Sequence, residues 1–394
     1  MKKEREAKTN DRSGPSGADR DRNGPPRPAA DAPLRREGVL GPDAASNDEV
    51  IGDAINDLIA LKGGSPNADI VSQIIGTALK LVDEKARRGD LKIMNSTLKD
   101  MRYAFKIFSA YRQVPKVSIF GSARTGPGAT EYAHAREFAR LMAESGFMVI
   151  TGAGDGIMRA GNEGAGKDMS FGVNIRLPFE QNANNIITDD PKLINFKYFF
   201  VRKLCFIKET DAVAMFPGGF GTMDEAFEVV TLVQTGKSEL MPLVFVDVPG
   251  GGYWKAWENY VRGHLLDGDY VSEEDLHLFK ITDDPREARN EILRFYRNFH
   301  STRQVKKTLV VRVKHAPTPA LVEQLNVEFS DLLSEGLIGS GPPLPEEVNE
   351  PELAALPRIY VPFNRRNHGR LRCLIDALNA SAPPSAAEIA AKKR

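Results

Sequence analysis

Apolar side chains are missing from the first stretch of the chain. From Lys2 to Pro33 there is no Ile, Leu, Val, Phe, Met, Trp or Tyr, while Arg, Asp, Gly, Pro and Ala alternate densely. Such a segment buries too little apolar surface to offset its chain entropy, so residues 1–47 read as a disordered tail. Helical periodicity follows. Asn47 or Asp48 is placed to cap a helix with Ile51, Ile55, Leu58 and Ile59 on one face. Asn67 is placed to cap a second, with Ile70, Val71, Ile74, Ile75, Ala78, Leu81 and Val82 inward and Gly89 as its stop. A third pattern runs over 91–112 and ends before Pro115, so residues 48–114 read as a helical preface.

From Val117 the texture changes. Short β-rich runs at 117–120, 147–151, 170–175, 212–216 and 243–248 alternate with amphipathic stretches such as 130–145 and 220–235. This alternation predicts an α/β domain over 115–302, Rossmann-like and doubly wound, with a mostly parallel sheet covered on both faces. Ligands of such sheets sit beyond the carboxyl ends of the strands. Residues 303–380 read as a small α+β appendix: a strand at 308–313, a helix at 319–333, a Pro-rich link, a strand at 358–361 and a helix at 371–378. Residues 381–394 read as a frayed tail. The appendix holds a basic cluster, Arg365, Arg366, His368, Arg370 and Arg372, which fits either a solvated face or an anion or regulatory-ligand site.

Composition narrows the setting. The 394 residues include 53 Lys+Arg and 53 Asp+Glu, so net charge supplies no bulk attraction to nucleic acid or an anionic membrane. No apolar run approaches the roughly 18–20 residues that span a bilayer, and the first ten residues lack a signal-peptide core. Cys205 and Cys373 stand far apart, giving no disulfide framework and no zinc-ligand cluster; a reducing cytoplasm is the expected location.

Three glycine-rich strand ends point to an anion. The first strand runs into Gly121-Ser122, where backbone N–H groups and a hydroxyl approach a ligand closely. The second ends in Thr151-Gly152-Ala153-Gly154-Asp155-Gly156-Ile157-Met158, with Gly154 and Met158 as candidate binding positions. Taken singly, both fit ordinary strand–helix turns equally well. The third is more specific: Pro217-Gly218-Gly219-Phe220-Gly221-Thr222-Met223-Asp224-Glu225 opens directly into an apolar helix. Glycine backbone, Thr222 and a helix N-terminus together make a phosphate cradle. Glu225 lies one turn inside that helix, where a carboxylate beside an anion calls for a reason; chemistry on a sugar attached to the phosphate is one. Arg202 and Lys203, 23 and 22 positions before Glu225, are two adjacent cations in an otherwise apolar helix.

The pair Arg202-Lys203 with Pro217-Gly218-Gly219-x-Gly221-Thr222-x-x-Glu225 resembles the LOG ("lonely guy") family of cytokinin riboside 5′-monophosphate phosphoribohydrolases. Its bacterial members include nucleotide 5′-monophosphate nucleosidases, many formerly labelled lysine decarboxylases. The resemblance covers roughly residues 115–300. It implies a Rossmann-like homodimer, Arg202 and Glu225 as catalytic residues, and Gly218 to Thr222 with Gly121-Ser122 around the 5′-phosphate. Pro217, Lys203, Asp224 and Thr231 are further substrate-site positions it suggests. Phe199-Phe200-Val201 before Arg202, and Asp224 in place of the family's more usual Glu, depart from its pattern and bear on base preference.

The expected reaction is hydrolysis of the N-glycosidic bond of a nucleoside 5′-monophosphate, AMP-like or a cytokinin riboside monophosphate, to free base and ribose 5-phosphate. It requires neither metal nor cofactor. The expected partners are the small-molecule substrate and a second copy of the chain, with no nucleic acid and no membrane. The alternative is a non-catalytic nucleotide or molybdenum-cofactor carrier, since related folds use a similar Pro-Gly-Gly loop; a carrier does not need the Arg202/Glu225 pair. A lysine decarboxylase finds little support, because no Schiff-base lysine is identifiable.

Overall fold

The computed structural model describes residues 42–176 and 183–392. Most of the predicted tail, residues 1–41, lies outside them. Two compact units divide the chain after Ala86. The first contains helices α1 (Pro42–Leu61) and α2 (Ala68–Asp83). Helix α1 is already formed at residues 42–47, so Asn47 and Asp48 lie inside it rather than at its start. Asn67 occupies the N-cap of α2 but its side chain makes no capping bond, and no residue of α2 is buried. The stripe expected to face inward therefore leaves Ile70, Ile74 and Val82 exposed.

The second unit begins at Arg87 and holds the remaining strands and α-helices of the described residues. In chain order these are α3 (Arg88–Ser109), β1 (Lys116–Phe120), α4 (Thr130–Glu144), β2 (Met148–Thr151), α5 (Ile157–Ala165), β3 (Ser170–Ile175), β4 (Leu193–Phe196), α6 (Phe199–Lys208), β5 (Ala212–Met215), α7 (Phe220–Gln234) and β6 (Leu243–Val246). They continue with α8 (Tyr253–Tyr260), β7 (Phe279–Thr282), α9 (Pro285–Phe295), β8 (Phe299–Val305), β9 (Thr308–Val313), α10 (Pro319–Glu328), β10 (Gly339–Gly341), β11 (Arg358–Val361), α11 (His368–Ala380) and α12 (Ala386–Lys392). Gly89, read as a stop, sits in the first turn of α3. That helix belongs with the second unit: Phe108 is buried and stacks on Phe171 of β3 with centroids 4.6 Å apart.

Seven parallel strands form the main sheet in the order β4-β3-β2-β1-β5-β6-β7. Strand side chains alternate between two cores, as the pleat requires. Val213, Met215, Leu243 and Phe245 join one core with residues of α3, α6, α7 and α8. Ala212, Ala214, Val244 and Val246 join the other, with α4, α5 and α9. The α/β doubly wound reading holds. Strands β4 and β7, at the two edges, are additions to it.

The C-terminal part is less separate than its composition suggests. Strands β10-β11-β9-β8 form an antiparallel sheet that starts at Phe299, inside the segment assigned to the α/β domain. Val311, Val313, Ile359 and Leu374 lie in the same continuous core as Phe245 and Trp254. The predicted frayed end instead forms α12, whose Glu388 pairs with Arg297 at 2.6 Å.

Candidate functional site

The strand order reverses between β1 and β5. They are neighbours in register, Phe120 opposite Met215, but their chain continuations lead away in opposite directions across the sheet. A crevice is expected beyond such a switch point, and a cleft of about 880 Å³ opens there. The two loops that leave β1 and β5 are tied together: Ser122 N donates to Pro217 O at 3.0 Å, and Phe216 N to Phe120 O at 2.8 Å. The loop after β2 joins them through Ile157 N, which donates to Ser122 O at 3.0 Å.

Glycine is required at two of these turns. A Cβ on Gly218 would stand 2.1 Å from Thr222 Oγ1 and 2.9 Å from Ser122 N. Gly156 has φ +65°, and a Cβ there would stand 2.2 Å from Ser122 O. Tyr253 on α8 fastens the third loop from behind, its hydroxyl donating to Gly218 O at 2.6 Å. The first turn of α7, with the partial positive charge of a helix N-terminus, thus forms one wall of the cleft.

Gly121, Ser122, Gly154, Met158, Arg202, Gly218, Gly219, Gly221, Thr222 and Glu225 all line this cleft. Helices α6 and α7 bring Arg202 and Glu225 face to face, with Arg202 Nη2 3.7 Å from Glu225 Oε1. Both side chains are largely withdrawn from solvent. The Arg202 guanidinium lies over the Phe199 ring at 5.0 Å, and its buried Nε has no hydrogen-bond partner among the described residues. Burial pushes the Glu225 carboxyl above the usual glutamate range, while Lys203 and Arg202 pull it back in part. Burial also lowers the Arg202 pKa.

Four expected positions sit elsewhere. Pro217 contributes its carbonyl to the loop rather than a wall of the cleft. Lys203 is turned away from the cavity toward a carboxylate cluster, with Nζ 2.7 Å from Asp224 Oδ2, 2.5 Å from Glu228 Oε2 and 3.5 Å from Glu225 Oε2. Asp224 is mostly exposed and is a partner of Lys203. Thr231 is exposed and outside the cleft. It follows Glu225 by six residues, about 240° around a helix of 3.6 residues per turn, so it cannot share Glu225's face. The residue one turn after Glu225 is Glu228.

Sequence reading passed over Arg124, Asn174, Ile175 and Phe206, which also line the cleft. Asn174 and Ile175 end β3, and a carboxyl strand end facing the cleft was the available signal. Lys203 holds its charge against burial because its bonds to Asp224 and Glu228 outweigh desolvation and raise its pKa.

The basic cluster of the C-terminal part does not form one face. Arg372 is buried, 2.5 Å from Glu291 and 2.9 Å from Asp376. Arg370 pairs with Asp331 and lies over Phe329, Arg365 donates to Lys306 O, and His368 is half-buried against Phe363. Among the described residues no group of three His, Cys, Asp or Glu is arranged to hold a metal ion, and no helix is long and apolar enough to cross a membrane.

Residues 151–292, which carry the second and third glycine loops, α6 and α7, match the family model described as "Possible lysine decarboxylase". That description is the older label of the LOG family. This segment is a LOG-family domain. No curated protein matches the chain. Solved structures with a similar course include the structural-genomics target TM1055, at 20% identity over 43% of this chain and 92% of its own, with a TM-score of 0.30. A molybdenum cofactor binding protein from Rippkaea orientalis shows 18% identity over 44% and 92%, with a TM-score of 0.32. DNA processing protein A from Helicobacter pylori shows 18% over 39% and 74%, with a TM-score of 0.30. At these scores the likeness adds nothing to what the strand order shows.

Proposed function

We propose that the LOG-family cleft hydrolyses the N-glycosidic bond of nucleoside 5′-monophosphates, AMP-like or cytokinin riboside monophosphates, to free base and ribose 5-phosphate. The observation that carries this reading is the pairing of Arg202 and Glu225, 3.7 Å apart, in a cleft whose wall is the glycine loop and N-terminus of α7. Binding an anion alone gives no reason to bury a carboxylate beside it.

In this reading the 5′-phosphate rests on the Gly218–Thr222 backbone, the Thr222 hydroxyl and Gly121-Ser122. Binding energy from the phosphate, remote from the reacting bond, positions the sugar. Ionised Glu225 holds the ribose hydroxyls and stabilises the positive charge that grows on C1′ as the C1′–N bond breaks. The bonding pair leaves with the base, which takes up a proton; water attacks C1′ and releases its own proton. Arg202 stabilises the departing base or keeps the Glu225 carboxylate in place. Met158 and Phe199 line the same cleft and offer an apolar surface for the base.

The reading includes self-association and a cytoplasmic setting. Both cysteines are free, in keeping with a reducing compartment. Phe199, Phe200 and Leu204 on α6 expose apolar surface, and Phe199 also lines the cleft, which supports a homodimer or higher homo-oligomer.

The test is direct. The protein is incubated with AMP, GMP, CMP and isopentenyladenosine monophosphate, and free base with ribose 5-phosphate is sought. Release from at least one supports the proposal. Tight binding with no release from any would overturn it in favour of a nucleotide or phosphate-cofactor carrier.

A further inference from the structure

Lys203 adjoins the proposed reacting carboxylate without touching it, and the reason lies one turn further along α7. Glu225 and Glu228 are three residues apart, so they project from the same side of the helix. The Lys203 ammonium reaches across from α6 to that side. It takes Glu228 at 2.5 Å and Asp224 at 2.7 Å, which are hydrogen-bond distances. It stays 3.5 Å from Glu225 Oε2, within Coulombic reach but beyond an ordinary N–H···O bond.

We infer that Glu228 is a positioning residue: by holding the Lys203 ammonium, with help from Asp224, it keeps that cation beside Glu225 but off its carboxylate, whose oxygens stay open to the ribose. The catalytic consequence rests on the function proposed above. Of the two anchors Glu228 is the stronger, because its side chain is 35% exposed against 66% for Asp224, so solvent screens it less.

The charged groups around Glu225 are Lys203 and Arg202 from α6 and Glu228 and Asp224 from α7. Removing the Glu228 charge acts on Glu225 twice, in the same direction. A like charge disappears, and Lys203, short of an acceptor, closes on Glu225 as the nearest carboxylate left. Both changes favour the ionised form and lower the Glu225 pKa. The second also occupies an oxygen the substrate needs. Loss of the like charge alone would lower the midpoint by the same amount with Lys203→Met in the background, whereas a shift that works through Lys203 shrinks there.

The experiment titrates the Glu225 carboxyl in the full chain by side-chain carbon NMR, with the resonance assigned by its loss in Glu225→Gln. Wild type is compared with Glu228→Gln, Glu228→Asp and Asp224→Asn. The Glu225 midpoint is expected to fall by about half to one pH unit in Glu228→Gln, to return toward wild type in Glu228→Asp, and to move less in Asp224→Asn. In turnover, Glu228→Gln is expected to lower kcat about 10-fold to 100-fold and to move the acid limb of kcat/KM down with the midpoint. A midpoint in Glu228→Gln equal to wild type, or a fall equally large with Lys203→Met in the background, overturns the inference, whatever happens to the melting temperature. If Glu228→Gln does not fold, Glu228→Ala carries the same comparison. The titration needs no substrate. Absence of base release by wild type would defeat the proposed function and still leave the role of Glu228 to be judged by the midpoint.

Discussion

Glu225 is exposed to opposing influences at the scale of a single carboxyl group. Burial raises its pKa, and the guanidinium of Arg202 and ammonium of Lys203 only partly offset that. If the ionised form does the work, activity is lost as pH falls through the raised value. The acid limb of kcat/KM is therefore expected above the ordinary glutamate range of about 4.3, and a pH–rate profile locates it. Glu225→Ala and Arg202→Ala should each lower kcat/KM by at least about 100-fold while AMP still binds, which single-turnover assays and calorimetry separate. Gly218→Ala is expected to act on the other half of the site. Its Cβ would meet Thr222 Oγ1 and Ser122 N, displacing the loop, so KM for the monophosphate should rise with little change in melting temperature.

Elements carry a different set of consequences. Helix α3 is a structural part of the α/β unit because Phe108 fills the space against Phe171. Phe108→Ala is expected to destabilise that unit by about 3–5 kcal/mol in denaturant unfolding. In the antiparallel sheet, Glu347 lies between Arg312 at 2.7 Å and Arg358 at 3.3 Å, and all three are buried. Burial works against the ionised Glu347, but the Leu344 backbone N–H and the two guanidinium groups outweigh it and hold its pKa below the usual glutamate value. This stabilisation is present above the unfolded-state pKa and is lost as pH falls through the lower folded value. Glu347→Ala leaves buried Arg358 without its carboxylate and Arg312 with Glu350 alone, and a loss of about 3–5 kcal/mol is expected by the same unfolding measurement at neutral pH.

The elements also show how far local pattern reaches. The strands β1, β2, β3, β5 and β6 are legible because they are buried on both faces and read as apolar runs. Edge strands β4 and β7 are not: β7 reads Phe279-Lys280-Ile281-Thr282 and is only partly buried. The glycine loops and the Arg202-Lys203 pair stand out because their residue types are unusual in their context. Glu228 does not, since a glutamate on a helix has many ordinary uses and only the Lys203 ammonium across from it makes it distinctive.

For the whole molecule, the apolar surface left on the N-terminal helices and around α6 bears on assembly. Ile70, Ile74 and Val82 on α2 and Phe200 on α6 are exposed. Sedimentation velocity on the full chain is expected to give a species larger than the monomer mass of 43.4 kDa, and Phe200→Asp to shift it toward the monomer. A monomer at all concentrations would remove self-association from the proposal.

The sequence by itself determined the alternation of strands and helices, the three glycine turns and the residue types gathered at them. Periodicity and turn chemistry are local properties, set within a few residues by sterics and by which side chains must leave water. Tertiary structure decided the rest. It set the reversal of strand order between β1 and β5 that opens the cleft, and merged the C-terminal sheet into the main core. It also put Thr231 outside the site and brought Lys203 and Glu228 together from separate helices. Those outcomes depend on which distant surfaces find each other, and spacing along one chain does not encode a contact between two helices until both have packed on the same sheet.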